Sequence, residues 1–166
     1  FQATTEQFSQ RPFLYFEDEM WTYDHTNKAA NSLARYLVST GVKHGDRVVL
    51  FMENRPSFLV SLLALNKIGA IAVLINTSLT GDPLIHCINS SDAVKCIVGA
   101  ERAQPLENVL NQINITKQED FLWAEDTDQY SLPDWAIDLK AQIDFSKDEN
   151  LEETNAVRIK DVACYI

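Results

Sequence analysis

Short apolar runs along the chain predict its strands. Two aromatic-rich runs, at 13–16 and 20–23, flank a short polar turn, a pattern typical of a β-hairpin. Residues 47–52, 70–75 and 94–98 are almost continuously apolar. Strands of that kind are buried on both faces, as they are in parallel sheets. We therefore predict an N-terminal hairpin that is followed by the central strands of a parallel sheet.

An amphipathic helix is predicted directly after the hairpin. Thr22 or Asp24 can cap it, because a short side-chain oxygen satisfies a free N–H of the first turn. Gly41 is expected to end it, since the left-handed position after a helix is favourable for glycine. Apolar residues recur at helical spacing along one face: Ala30, Leu33, Ala34, Leu37 and Val38.

Two further helices are predicted between the apolar runs. Pro56 suits the first turn of one helix, and Asp82 with Pro83 supplies a capping oxygen and a first-turn proline for the other. The apolar residues of the first helix are Phe58, Leu59, Leu62, Leu63 and Leu65, and we expect Leu62 and Leu63 to be buried. In the second helix we expect Leu84, Ile85 and Ile88 to point into the core.

The second half of the chain has weaker periodicity. A stripe of Leu106, Val109, Leu110 and Ile113 predicts one more helix, and residues 121–123 predict a short strand. Residues 125–153 are interpreted as a long acidic loop with a pair of helical turns near 135–143. Residues 161–166 are interpreted as a buried strand.

The order of these elements predicts the fold class. Helices that alternate with buried strands imply right-handed crossovers between parallel strands. We predict a single α/β domain with a mainly parallel sheet, helices on both faces and an N-terminal hairpin. A length of 166 residues suits one domain.

The charge is strongly and unevenly negative. The formal net charge is -10, and residues 117–153 hold 12 of the 24 acidic side chains against 3 lysines. A surface of this sign repels nucleic-acid phosphates, so we expect no nucleic-acid partner. It is interpreted as a solvated acidic face, with docking onto a basic partner as the alternative.

The cysteines and the length of the apolar runs indicate where in the cell the protein is located. Cys87, Cys96 and Cys164 form no C-x-x-C pair and are odd in number, so we interpret them as reduced thiols that pack as small core residues. No apolar run approaches the 18 or so residues of a membrane span. These features predict a cytoplasmic location without a membrane-spanning segment.

No self-contained active site is visible in the residues. The five glycines fit neither G-x-G-x-x-G nor G-x-x-x-x-G-K-[ST], the two loops that hold phosphates. His25, His44 and His86 are too scattered for metal-ligand spacing. We assign no catalytic residue and no metal ligand within the chain.

Three segments resemble the opening part of the adenylate-forming acyl-CoA synthetases. They are Trp21-Thr22-Tyr23 with Asn31 and 34–37, then 41–43 with 45–48, and 67–70 with 72–73 and 75–76. A fourth group, 76–79 with Gly81, 83–84 and His86-Cys87, is similar to the fatty-acid-transport-protein and very-long-chain acyl-CoA synthetase branch. Leu74 stands where most of the superfamily has proline.

This resemblance implies which part of an enzyme the chain represents. Residues 162–166 are similar to the strand that leads into the family's Ser/Thr/Gly-rich phosphate loop. Residues 1–166 are therefore expected to be the N-terminal subdomain of an AMP-binding acyl-CoA synthetase, ending just before that loop. On this view the 166-residue piece is inactive alone and binds no cofactor.

The resemblance also implies an activity for the parent enzyme. It would activate a long-chain fatty acid with ATP and Mg²⁺ as an acyl-adenylate, then transfer the acyl group to coenzyme A. Ser78 and Arg102 occupy places that approach coenzyme A in some relatives. Two alternatives stay open: a non-catalytic α/β binding module related to the ligases, and a carnitine-type or bile-acid-type CoA ligase.

Two further expectations concern partners. A subdomain separated from the rest of an enzyme exposes apolar surface, so we expect self-association. Peripheral contact with a membrane is left open.

Overall fold

The N-terminal layer of the computed structural model, which describes residues 1–125 and 129–166, is a small helix followed by the predicted hairpin. Helix α1 spans Gln2–Phe8, and strands β1 (Pro12–Phe16) and β2 (Glu19–Thr22) pair antiparallel. Glu17 turns the chain between the strands with a φ of 49°. The hairpin prediction is confirmed.

A parallel sheet forms the centre of the fold. Within the described residues it has six strands, in the order β7-β6-β5-β3-β4-β8, and each neighbouring pair is parallel. The bounds are β3 Arg47–Phe51, β4 Ile71–Leu74, β5 Lys95–Gly99, β6 Phe121–Ala124, β7 Ile137–Asp138 and β8 Cys164–Tyr165. The parallel-sheet prediction is confirmed.

Helices cover both faces of this sheet, as predicted. Strand β3 shows why, because Val48 and Leu50 face one apolar cluster while Val49 and Phe51 face the other, and all four are buried. The first cluster lies under α2 (Tyr23–Ser39) and α3 (Pro56–Lys67), and the second under α4 (Gly81–Ser91) and α5 (Ala103–Glu107).

Helix α2 begins and ends where the sequence indicates. The Thr22 hydroxyl accepts a hydrogen bond from the His25 N–H at 3.1 Å, so Thr22, rather than Asp24, is the cap. Gly41 follows the helix with a φ of 94°. The predicted apolar face is buried at Ala30, Leu33, Ala34 and Leu37, and Val38 packs partly buried against it.

The buried face of α3 differs from the prediction. Leu62 and Leu63, which were expected to be buried, are only half-buried, although both pack against the first cluster together with Phe58. The buried residues of the helix include Val60, Ser61, Ala64 and Leu65. Because α3 is apolar around most of its circumference, its pattern does not indicate which side turns inward.

Two other helix predictions are wrong in detail. Thr80 is the residue before α4 and Asp82 lies inside its first turn, without a capping hydrogen bond from a side chain. The stripe from Leu106 to Ile113 is not one helix: α5 ends at Glu107 and a 3₁₀ turn follows at Leu110–Gln112. The Asn89 side chain donates to the Gln112 carbonyl and accepts from the Asn114 N–H, which turns this segment toward α4.

The acidic loop is fastened to the polar side of α2. Asn31 donates to the Asp148 carbonyl at 2.8 Å, Ser32 to the Lys147 carbonyl at 3.2 Å, and Arg35 to the Glu149 carbonyl at 2.9 Å. Earlier in this loop, β7 and the short helix α6 (Leu139–Gln142) fall within the region of predicted helical turns. Residues 126–128 of the predicted loop lie outside the described residues.

The last strand is not buried, contrary to the prediction. Strand β8 pairs with β4, and Val162, Tyr165 and Ile166 are all exposed. The approach to β8 is fixed by Asp161, whose carboxylate accepts from the Arg158 N–H at 2.8 Å and lies 3.0 Å from His44 Nε2. These two contacts lower the pKa of Asp161, the first more than the second.

Two buried groups complete the core. Cys96 is fully buried and burial raises its thiol pKa, whereas Cys87 and Cys164 are only half-buried, so the core prediction holds for one cysteine. Lys67, at the end of α3, is 6% exposed. Its Nζ has no hydrogen-bond partner among the described residues, and burial lowers its pKa to about 8.

Candidate functional site

The carboxyl ends of β3, β4, β5 and β6 meet at one edge of the sheet. The chain leaves β3 through α3 on one face and leaves β4 through α4 on the other. In open α/β sheets, ligands bind outside the carboxyl ends of the strands, where successive connections take opposite faces. This edge is therefore the candidate site.

An ion pair of Arg55 and Glu101 ties three of these strand ends together. Arg55 Nη1 lies 2.9 Å from Glu101 Oε2, and the two side chains are 13% and 16% exposed. Arg55 Nη2 also donates to the Ala124 carbonyl, at the end of β6, at 3.1 Å. We call Arg55 and Glu101 the inner pair; it fixes the loops after β3, β5 and β6 relative to one another.

A second ion pair lies closer to solvent. Arg102, in a 3₁₀ turn at Ala100–Arg102, donates from Nη2 to Glu53 Oε1. The side chains are 26% and 54% exposed. The Glu53 backbone N–H donates to Glu101 Oε1 at 2.9 Å, which joins the two pairs. We call Arg102 and Glu53 the outer pair.

Arg102 has hydrogen-bonding capacity that this arrangement does not use. Its Nε is shielded from solvent and has no hydrogen-bond partner within the described parts of the chain. A guanidinium offers five N–H donors in a fixed fork that matches carboxylate and phosphate oxygens. The residue therefore fits a phosphate contact chemically.

Ser78 lies at the same edge, on the loop after β4. Its side chain is exposed, and its backbone N–H donates to Asn76 Oδ1 at 2.9 Å. An Asn side chain that accepts from the backbone two residues on stabilises a turn. Strands β4 and β5 flank β3, so Ser78 and Arg102 follow strands two spacings, about 10 Å, apart. The structure places them at one edge without direct contact.

A cavity of about 990 Å³ opens beside these loops. Its lining combines polar residues of the loops after β3 and β4 with apolar side chains. Representative lining residues are Met52, Asn54, Asn76, Thr77, Leu79 and Tyr165. Clefts with apolar walls and a few placed polar groups are typical of small-molecule sites.

The site contains residues that the sequence did not single out. Glu53, Arg55 and Glu101 each follow the end of a predicted strand, and that position was the available signal. Within residues 1–125 and 129–166, no three His, Cys, Asp or Glu side chains come together as a metal site. None of the described helices is long and apolar enough to cross a membrane.

The fold and its charged edge define an open α/β protein of the kind that binds ligands at the carboxyl ends of parallel strands. Comparison with known families is more specific. The model of the AMP-binding enzyme family matches residues 1–166, and the chain belongs to that family. The resemblance seen in the sequence is thereby confirmed.

The similar curated proteins are fatty acid transport proteins and fatty acid–CoA ligases. Human long-chain fatty acid transport protein 6 is 28% identical over 95% of this chain and 25% of its own length. The medium/long-chain-fatty-acid–CoA ligase FadD6 of Mycobacterium tuberculosis is 30% identical over 100% of this chain and 26% of its own length. The chain thus spans about a quarter of the length of these two relatives.

Solved structures agree with this assignment. The long-chain-fatty-acid–CoA ligase FadD1 from Archaeoglobus fulgidus superposes with a TM-score of 0.75 over 98% of this chain and 32% of that one, at 19% identity, and supports the fold. The N-terminal domain of FACL13 from Mycobacterium tuberculosis is 28% identical, with a TM-score of 0.65 over 75% of this chain and 32% of that one.

Proposed function

We propose that this chain is the front part of a ligase that activates a long-chain or very-long-chain fatty acid and joins it to coenzyme A. The observation that carries the proposal is the family match over residues 1–166, together with relatives named as fatty acid transport proteins and fatty acid–CoA ligases. We further propose that residues 1–166 form the N-terminal subdomain that precedes the phosphate-binding loop of such an enzyme.

The carboxyl edge of the sheet has a definite part in this proposal. In the reaction, ATP with Mg²⁺ activates the carboxylate and coenzyme A supplies the thiol that accepts the acyl group. Arg102 binds a phosphate of coenzyme A through its guanidinium, and the exposed Ser78 hydroxyl offers a second polar contact from the loop after β4. The inner pair holds the loop that carries Arg102 in place.

Arg102→Ala in an active enzyme that contains this chain tests the coenzyme A site. A charge-assisted hydrogen bond contributes on the order of 1.5–3 kcal/mol, so we expect the KM for coenzyme A to rise roughly tenfold or more. Ser78→Ala should raise it less. Lys117→Ala removes the same charge at a remote exposed position and serves as the control. An unchanged KM in Arg102→Ala would remove this residue from the site.

The 166-residue chain alone is proposed to be inactive. Adenylation needs preorganised donors and a metal around the triphosphate, and the sequence supplies no glycine-rich phosphate loop. The test is fatty-acid-dependent exchange of pyrophosphate with ATP. We expect none from residues 1–166 and Mg²⁺-dependent exchange from a chain that continues through the phosphate loop and the C-terminal domain.

The same assay separates the alternatives. A non-catalytic module would give no exchange even in the longer chain when tested with short, medium and long acyl substrates. A carnitine-type or bile-acid-type ligase would give exchange with those acids instead. If the purified 166-residue chain catalysed more pyrophosphate exchange than a control sample of host proteins, the proposal that this piece is inactive would be contradicted.

Location and association are also proposed. We propose a cytoplasmic protein with peripheral membrane contact; the support is the absence of a spanning helix among the described residues and the relatives named for fatty acid transport. Exposed apolar side chains, among them Phe145, Val162 and Ile166, support self-association of the 166-residue chain. Light scattering that finds a monomer at high concentration would contradict the second proposal.

A further inference from the structure

Arg102 already has a negatively charged partner within the chain. Its Nη2 donates to Glu53 Oε1, and Glu53 is 54% exposed where Arg102 is 26% exposed. The carboxylate therefore lies on the solvent side of the pair. An anion that approaches Arg102 from solvent meets the negative charge of Glu53 before it reaches the guanidinium.

The backbone of Glu53 is held by a contact that does not involve its side chain. The Glu53 N–H donates to Glu101 Oε1 at 2.9 Å, and Glu101 is held by the mostly buried Arg55. The Glu53 carboxylate, by contrast, extends to solvent from this anchored position. It can rotate away from Arg102 without disturbing the inner pair.

The present bonding of Arg102 is incomplete. Glu53 uses Nη2, while Nε has no hydrogen-bond partner among the described residues. Guanidinium groups bind most strongly when two parallel N–H groups donate to two oxygens of one anion. Once the carboxylate has moved, a phosphate group can take its place on Nη2, the nitrogen that donates to Glu53 in the unliganded chain.

We infer that Glu53 is a built-in competitor for the anion site at Arg102. It neutralises the guanidinium before a ligand binds, and it lowers the affinity of the site for every anion. A phosphate monoester carries about -1.5 to -2 charges at pH 7, against one on a carboxylate, so it displaces Glu53 more readily than a monoanion does. The assignment of that phosphate to coenzyme A rests on the proposed function; the competition itself rests on the outer pair.

The test is the binding of 3′,5′-ADP, the phosphorylated nucleotide part of coenzyme A, to the 166-residue chain by calorimetry at low salt. Because this piece is expected to retain no cofactor, the nucleotide is added in large excess so that weak binding at Arg102 is detected. Glu53→Gln keeps the shape of the side chain and removes its charge. We expect it to bind 3′,5′-ADP about threefold to tenfold more tightly than the unmodified chain, since one unit charge close to the anion is lost. Glu153→Gln removes the same charge at an exposed position outside the loops that follow β3, β4, β5 and β6, and binding should stay unchanged.

Two further variants separate competition from a structural effect. Glu53→Asp keeps the charge but withdraws it by one methylene, so its affinity should lie between those of the unmodified chain and Glu53→Gln. Arg102→Ala should abolish the gain when it is combined with Glu53→Gln. Inorganic phosphate and 5′-AMP, measured beside 3′,5′-ADP, distinguish a general phosphate site from one that reads the coenzyme A nucleotide.

Each outcome has a distinct meaning. Equal or weaker binding by Glu53→Gln, with measurable binding by the unmodified chain, overturns the competitor role and leaves the coenzyme A proposal standing. If none of the folded variants binds any of the three phosphate ligands, the anion site at Arg102 is wrong, and the competitor role with it. A gain for inorganic phosphate alone supports the competition and contradicts its assignment to coenzyme A.

Discussion

Arg55 and Glu101 form an ion pair that is largely shielded from solvent, with Nη1 and Oε2 2.9 Å apart. The neighbouring pair of Glu53 and Arg102 has the same chemistry but lies in solvent to a much greater extent. Buried charges are costly to leave unpaired, whereas exposed pairs contribute little. We therefore expect the inner pair to hold the loops together, whereas the outer pair can separate when an anion binds to Arg102.

Glu101→Ala should destabilise the fold by about 2–4 kcal/mol, because it removes a largely buried carboxylate that lies 2.9 Å from Arg55 Nη1 and accepts from the Glu53 N–H. Glu53→Ala, the matched change in the outer pair, should cost less than about 1 kcal/mol. Urea unfolding followed by circular dichroism gives both values. Equal losses would contradict the distinction between the pairs.

Leu65→Ala should cost about 2–5 kcal/mol, the usual range for a buried leucine, because this side chain of α3 is fully buried. Leu62→Ala in the same helix should cost clearly less, since Leu62 is half-buried. This comparison replaces the expectation from the sequence that Leu62 and Leu63 are core positions. A larger loss at Leu62 than at Leu65 in urea unfolding would invert the orientation of α3.

Gly69→Ala should destabilise the chain more than Gly45→Ala. Both glycines have positive φ, 69° and 84°, where a Cβ is strained. A Cβ at Gly69 would in addition lie 2.2 Å from His44 Cδ2, whereas one at Gly45 meets nothing within 4 Å. Thermal unfolding of the two variants measures the extra cost of displacing the His44 ring. Equal melting temperatures would show that the ring moves freely.

Lys67→Met should stabilise the protein at neutral pH, because a buried ammonium without a hydrogen-bond partner among the described residues is replaced by an apolar side chain of similar length. The pKa of Lys67 is about 8 in the folded chain and about 10.4 when unfolded. Between these values the unfolded chain binds more protons, so stability rises with pH across this window and the penalty is full below it.

Unfolding of the unmodified chain and of Lys67→Met between pH 7 and 10.5 measures this effect. The advantage of the variant should shrink as the pH rises, and subtracting the two curves removes the contribution of other titrating groups. Lys117→Met, at an exposed position, is the control and should show no such trend. A constant difference across the range would mean that Lys67 remains charged when folded.

The strands and the class of fold were predictable because their signal is local. Val48 to Phe51 are apolar without interruption, and only a strand with both faces covered explains that run. The buried face of α3 was not predictable, because Leu59, Leu62 and Leu63 are as apolar as the residues that face the core. The exposure of Tyr165 was missed for a related reason, since an apolar run does not reveal whether its strand is central or at an edge.

The candidate site was predictable only in part. Arg102 could be placed at a strand's carboxyl end from the sequence, and the structure puts it there. Its pairing with Glu53 joins residues that are 49 positions apart, and nothing local in the sequence indicates such a contact. The coenzyme A role of Ser78 and Arg102 stays a prediction.

The place of β8 in the sheet also affects how the chain folds as it is made. Strand β4 gains its outer neighbour only when Cys164 of β8 pairs with Ala72. These two residues are about ninety positions apart in the chain. Ribosomes add roughly 5–20 residues per second, which leaves one edge of β4 open for roughly 5–20 s during synthesis. Over that interval the unpaired N–H and C=O groups of β4 can template another chain. The nascent chain is thus exposed to such pairing after β4 has been made and before β8 arrives.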